Sequence, residues 1–229
     1  MKNHEENFEK NHPEGVKETQ IDWALVAVAG VMVTLYLTAN IMAVKLISIC
    51  GISYFDAGTV TFPFVFMLGD VLTEIWGYHT AKRVIWLTFF CNIILIAATS
   101  IGLILPVPDY MADVQAAYKT IFTYVPRIVA ASLVAFLAGE LSNAWTMAKI
   151  RELTGRKLLW VRTIGSSIFG YVFDTGLFVL LAFWGTAPTR DLIAMIVAQF
   201  IAKMALESFI STPVAYAVIH FLRKIVTTV

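Results

Sequence analysis

The chain has 229 residues, of which 59% are hydrophobic and 14% charged; soluble domains carry roughly 45–50% and about 25%. That composition excludes a sizeable soluble domain and marks a polytopic integral membrane protein. The net charge of +1 gives no reason to expect a nucleic-acid partner, and Cys50 and Cys91 fit neither a metal-binding nor a redox spacing.

The first stretch, residues 1–20, mixes acids and bases and lacks the basic start and short apolar core of a secretory signal. It reads as a disordered cytoplasmic tail. Six apolar segments come after it, each long enough to cross about 30 Å of hydrocarbon at 1.5 Å per residue. The first runs from about Asp22 to Ile49, with Trp23 as an interfacial anchor. A Gly-bearing loop, CGISYFDAGT, leads to the second, about Val60 to Tyr78, where Pro63 suits a first helical turn. The third covers about Val84 to Leu105 and is stopped by Pro106 and Pro108. The next loop is the longest; it predicts a surface helix around Asp109 to Tyr118 with Asp109 as its cap. The fourth segment spans about Arg127 to Ala148 and the fifth about Thr163 to Trp184. The sixth, about Asp191 to Phe221, carries Pro213 and should kink there. The membrane domain is thus 21–223, followed by a short cytoplasmic tail, 224–229.

Lys and Arg concentrate in the N-terminal tail, at Lys82–Arg83, between Lys149 and Arg162, and at Arg223–Lys224. The opposite loops hold Lys119, Arg127 and Arg190. This asymmetry places both termini in the cytoplasm and agrees with an even number of spans. There is also a faint internal echo. Phe66 to Asp70 with Trp76-Gly77 resembles Phe169 to Asp174 with Trp184-Gly185. It suggests a 3+3 inverted repeat, with helices two and five in matching places. The fold class is therefore all-α, with six transmembrane helices, N-in/C-in.

The second segment is apolar enough for lipid yet carries Asp70 and Glu74, four apart and so on one helix face. A charge at the centre of a membrane helix costs roughly 2.5–3.5 kcal/mol on insertion scales, so the pair needs shielding and a task. Counted from the cytoplasmic ends, Asp70 and Asp174 lie about 18 Å deep, Glu140 about 14 Å and Glu74 about 12 Å. The sixth segment adds Gln199, Lys203 and Glu207 at helical spacing, the first adds Asn40 and Lys45, and Asn143 stands beside Glu140. Five acids against two lysines leave carboxylates that are protonated or await a donor-rich or cationic ligand. Phe62, Trp76 and Phe178 are candidate stacking platforms near this layer. Carboxylate plus aromatic face is the chemistry that reads a guanine-like edge, since one acid accepts from a ring N–H and an exocyclic amine together. No GxSxG, HExxH or Walker loop is present, so the sequence signals neither an enzyme nor a cofactor or metal site.

At this point an ordered series of residues becomes specific. Ala39-Asn40, Val44-Lys45-Leu46, Asp56-Ala57-Gly58, Thr61-Phe62-Pro63-Phe64, Asp70, Glu74, Gly77 and Ala81-Lys82-Arg83 come first. Arg127 with Ala131-Ser132, Thr154-Gly155 with Leu159-Trp160-Val161-Arg162, Ser166 to Asp174-Thr175, Ala182 to Gly185, Lys203 and Pro213 come after them. With these the chain resembles the queuosine precursor transporter family, also described as vitamin uptake transporters, from about Thr38 to Pro213. The resemblance implies import of 7-deazapurine bases across the inner membrane of a prokaryote. The substrates it implies are 7-cyano-7-deazaguanine, 7-aminomethyl-7-deazaguanine or queuine. The layer read above supplies the candidate substrate site: Asp70 and Asp174 as acceptors for the guanine-like edge, Asn40 as a supporting contact, Lys203 paired with Glu207 or an aspartate, Glu74 and Glu140 in the same layer, and Phe62, Trp76 and Phe178 as stacking platforms. The family often has Gln where this chain has Glu140, so that residue either meets substrate or tunes charge or proton coupling. The alternative is the substrate-binding subunit of an energy-coupling-factor vitamin transporter, whose coupling surface uses small residues four apart, as at Ala39 and Ala43. Such small-residue faces also admit a homodimer without requiring one.

Overall fold

The computed structural model describes residues 22–43, 45–49, 52–122, 126–154, 158–185 and 188–226. The N-terminal tail expected at 1–20 lies outside them. Helix α1 is Trp23–Met42, capped by Asp22, whose Oδ1 accepts the Leu25 N–H at 3.0 Å. It buries Val28, Met32, Tyr36 and Ala39, a stripe at three- and four-residue spacing, and leaves its other faces outward. The helix ends earlier than the sequence suggests, so Lys45 lies beyond it. The chain then forms a two-stranded antiparallel hairpin, β1 (Leu46–Ile49) and β2 (Ile52–Asp56), with Leu46 opposite Asp56 and Ile47 opposite Phe55. The segment expected as helix end plus loop therefore pairs with itself. Its β-branched run, Ile47, Ile49 and Ile52 around Gly51, is the reason.

A 3₁₀ turn, Ala57–Val60, leads into α2, Phe62–Trp76, with Pro63 in its first turn. Gly77, at φ 83°, ends this helix and opens α3, Tyr78–Ile104; a side chain there would be strained. Helix α2 is 15 residues long and buried from Val65 through Glu74. At about 22 Å it is shorter than a membrane core, and its neighbours enclose it on every side. This is how its acids are kept from lipid.

The surface helix begins as a 3₁₀ turn, Asp109–Met111, and continues as α4, Ala112–Phe122. Asp109 lies within that turn and Pro108 precedes it, so the expected cap is displaced by one residue. Helix α5, Pro126–Thr154, packs along α6, Leu159–Phe183. They meet at Gly139 and Gly170. A Cβ on Gly139 would come within 2.6 Å of Asp174 Cβ, and one on Gly170 within 2.5 Å of the Phe66 ring. The last helical stretch is α7, Thr189–Leu206, then a π turn, Glu207–Ser211, then α8, Thr212–Val226. The predicted break at Pro213 is this π turn just before it, where proline withdraws one N–H from the ladder. Because α8 reaches Val226, the stretch expected as a C-terminal tail begins as helix.

Among the described residues, four helical stretches are long and apolar enough to cross a membrane: Trp23–Met42, Tyr78–Ile104, Leu159–Phe183 and Thr189–Lys224. The chain is an α-helical membrane protein with one small hairpin.

Candidate functional site

Helix α2 carries its two acids into two different environments. Asp70 faces Asn143 of α5 and Ser166 of α6: its Oδ1 accepts from Asn143 Nδ2 at 2.9 Å and from the Ser166 hydroxyl at 3.4 Å. Near it stand Glu140 from α5 and Glu207 from the π turn, and Asp174 from α6 lies near Glu140, each 3% exposed or less. Glu140 is within electrostatic reach of the other three acids, and Asp70 of Glu207. Lys203 on α7 is 2.7 Å from Asp174 Oδ2 and donates to Thr175 Oγ1 at 3.2 Å. Its ammonium lies 4.8 Å from the Phe62 ring centre and 5.9 Å from that of Tyr171, inside cation–π range. The Tyr171 hydroxyl donates to Glu207 Oε2 at 3.1 Å.

Several acceptors in this cluster have no donor. Among the described residues Asp70 Oδ2, both oxygens of Glu140 and Asn143 Oδ1 are buried without a hydrogen bond. Glu207 Oε1 faces the Ser167 hydroxyl without reaching hydrogen-bond geometry. A buried acceptor left unmet costs about 1–3 kcal/mol, more when charged. The cluster is therefore chemically matched to a ligand rich in N–H donors. Aromatic rings bound it: Phe62 packs on Tyr36 and Phe66 with centroids 6.1 and 5.8 Å apart, and Phe66 lies 4.5 Å from Tyr171.

Glu74, one turn further along α2, is fully buried with cations. Arg162 Nη2 is 3.0 Å from Oε2, Arg223 Nη2 is 2.6 Å from Oε1 and Arg151 Nη1 is 4.0 Å away. Arg151 also donates to the Glu74 and Thr73 carbonyls at 2.9 and 3.4 Å. It thus closes the carbonyl end of α2, where cations are favoured. Four helices, α2, α5, α6 and α8, are joined through one carboxylate.

The structure brings together Asp70, Glu140, Asp174, Lys203, Glu207 and Phe62. It sets the other candidates apart. Glu74 belongs to the arginine cluster. Trp76 donates its indole N–H to the Asp22 carboxylate at 2.5 Å, so it ties α2 to the start of α1. Phe178 packs edge-on against Phe183 at 6.1 Å. Asn40 bridges α1 to its neighbours, donating to Asn92 at 3.2 Å and accepting from Ser132 at 2.9 Å. Sequence reasoning misses Tyr171 and Ser166 as members of the site. The signal for both is spacing, since they precede Asp174 by three and eight residues and so share its face. A groove of about 380 Å³ opens elsewhere, on the outer side of α5 and α6, lined by Trp145, Phe169 and Phe173 and by none of the acids.

Residues 56–218 match the family described as putative vitamin uptake transporter. A probable queuosine precursor transporter of Bacillus subtilis is 31% identical over 180 residues, covering 78% of this chain and 77% of its own. A protein of the same description from Haemophilus influenzae is 29% identical over 57% of this chain and 52% of its own. The queuosine precursor transporter of Escherichia coli is 29% identical over 56% and 54%. No solved structure matches the chain.

Proposed function

The chain belongs to the putative vitamin uptake transporter family, and from that premise we propose that it imports queuosine precursors, flat 7-deazapurine bases, across the inner membrane of a prokaryote. In this reading six segments span the membrane with both termini inside. They comprise the four long apolar stretches together with α2, enclosed by the others, and α5. Transport is secondary or facilitated.

The observation that carries the proposal is the unmet acceptor set at Asp70 and Asn143 between aromatic walls. A guanine-like edge presents a ring N–H and an exocyclic amine side by side. Asp70, with Oδ2 unmet, takes those two donors, and Asn143 Oδ1 lies ready for a third. Ser166 and the Asn143 amide hold the Asp70 carboxylate in register. Phe62 and Tyr171 supply the faces against which the ring lies. Asp174 and Lys203 close the side of the site as a matched pair, and Glu207 is held by Tyr171. The names of the relatives support the substrate class.

The proposal is tested in a strain unable to make queuosine precursors, by measuring queuosine in tRNA when precursor is supplied outside. The wild-type chain restores it, and Asp70→Asn does not while remaining in the membrane at wild-type level. Normal rescue by that variant removes Asp70 from the site. The energy-coupling-factor alternative asks for an exposed small-residue pair. Ala39, however, is 2% exposed and packed inside the bundle. Uptake by the purified chain alone in proteoliposomes separates the two readings.

A further inference from the structure

We infer that Glu140 is a proton-carrying residue, so that each substrate molecule enters together with one proton. The inference rests on the transport reading above and adds to it the force that drives accumulation.

One of the four clustered acids lacks a partner. Asp174 has the Lys203 ammonium, Glu207 has the Tyr171 hydroxyl, and Asp70 has the Asn143 amide and the Ser166 hydroxyl. Among the described residues Glu140 has none: it is 0% exposed and neither oxygen meets a donor. Four carboxylates and one ammonium leave three negative charges if all are ionised. The groups facing Glu140 do not relieve them. They are Tyr36 from α1, Asp70 from α2, Asp174 from α6 and Glu207 from the π turn. Lys203 is spent on Asp174, and the nearby arginine, Arg162, faces Glu74. An ionised carboxylate sealed away without donors is the least tolerable state of such a group. A proton on Glu140 removes that charge and makes it a donor to its acceptor-rich neighbours.

The fold has made a seat for this side chain. A Cβ on Gly69 would lie 2.5 Å from Glu140 Oε2, so only glycine at that position lets the carboxyl rest against α2 beside Asp70. The coupling results from burial. With the site sealed, Glu140 must hold its proton. With the site open to water, Glu140 exchanges its proton with that side, and an empty site that returns filled with water instead of substrate tolerates the ionised carboxylate, so only the loaded crossing carries a proton. A transporter that seals around substrate and reopens on the other face therefore moves the proton with it.

The test uses the full chain in proteoliposomes and radiolabelled 7-cyano-7-deazaguanine, whose neutrality leaves the proton as the moving charge. With the outside one pH unit more acid, one proton per substrate sets a limit of about tenfold accumulation. The wild-type chain should approach that ratio and fall to one with a protonophore. Glu140→Asp keeps the carboxyl and should still accumulate. In Glu140→Gln, whatever uptake remains should end at a ratio of one whatever the gradient. Wild-type uptake that stops at one under the pH gradient, or that depends on a sodium gradient instead, overturns the inference and leaves the transport reading standing. Tenfold accumulation by Glu140→Gln overturns the assignment to this residue. Absence of any uptake by the wild-type chain overturns the transport reading itself.

Discussion

Asp70 and Glu74 stand one turn apart on the same buried helix, and the protein treats them in opposite ways. Glu74 is met by three arginines from three other helices, while Asp70 is met by an amide and a hydroxyl and keeps one oxygen unmet. A carboxylate with an arginine paired to each oxygen has little left to offer a ligand. One held in place by neutral donors is both positioned and available. On the proposed reading the contrast separates a fastening from a binding group better than burial does, since both side chains are fully or nearly fully enclosed.

The largest effect that this comparison predicts is on transport. Asp70→Asn should lower uptake about 100-fold, as expected for losing a charge-assisted pair of hydrogen bonds, with little change in thermal stability in detergent. Glu74→Gln should do the reverse. Breaking a buried ion pair costs about 3–5 kcal/mol, so its thermal transition should fall steeply. Whatever protein folds should bind precursor with wild-type affinity in a radioligand assay. A stable Glu74→Gln chain that has lost binding would merge the two clusters and undo the distinction.

Glu74 and Asp70 read alike in the sequence for a physical reason. Both lie on one face of one apolar helix, and depth counted along the chain puts them within a turn of each other. The partners decide their roles, and the partners come from afar. Arg162 reads as part of the basic loop that starts at Lys149, yet α6 begins at Leu159 and turns that guanidinium inward. Arg223, near the end of the chain, reaches the same carboxylate. Periodicity shows which residues share a face of one helix; it does not show which faces meet. The acids of the site are legible because their types are costly in lipid, wherever they sit. Tyr171 and Phe66 are harder to find, since aromatic residues are common throughout these helices. The hairpin at Leu46–Asp56 is hidden by apolar residues that serve a strand and a membrane helix equally well.

Aromatic residues give a finer version of the comparison. Phe62 lies against the Lys203 ammonium and Tyr36, whereas Trp76 ties off the far end of α2. Phe62→Leu should weaken precursor binding about fivefold, the scale of one lost aromatic contact, as read by competition binding. Trp76→Phe removes only the bond to Asp22. It should lower stability by about 1 kcal/mol, seen as a modest drop in melting temperature, and leave affinity alone. Equal losses of affinity in both variants would return Trp76 to the substrate site.

The smallest effect tests the fastening from its rim. Arg223 lies half-exposed, with 49% of its side chain accessible, while Arg162 on the same carboxylate is fully buried. Both geometries are short, so distance alone predicts equal contributions. Solvent argues otherwise: an exposed partner is screened and is ordinarily worth about 0.2–1 kcal/mol, and raising the salt weakens it further. Arg223→Gln should therefore cost less than about 1 kcal/mol, and the difference from wild type should shrink as sodium chloride is raised in the melting assay. Arg162→Gln, in contrast, leaves Glu74 with its buried oxygen uncompensated, and its loss should be insensitive to salt. A large, salt-independent loss on removing Arg223 would mean that water does not reach this end of the helix. The arginines would then seal the end of the bundle as well as fasten it.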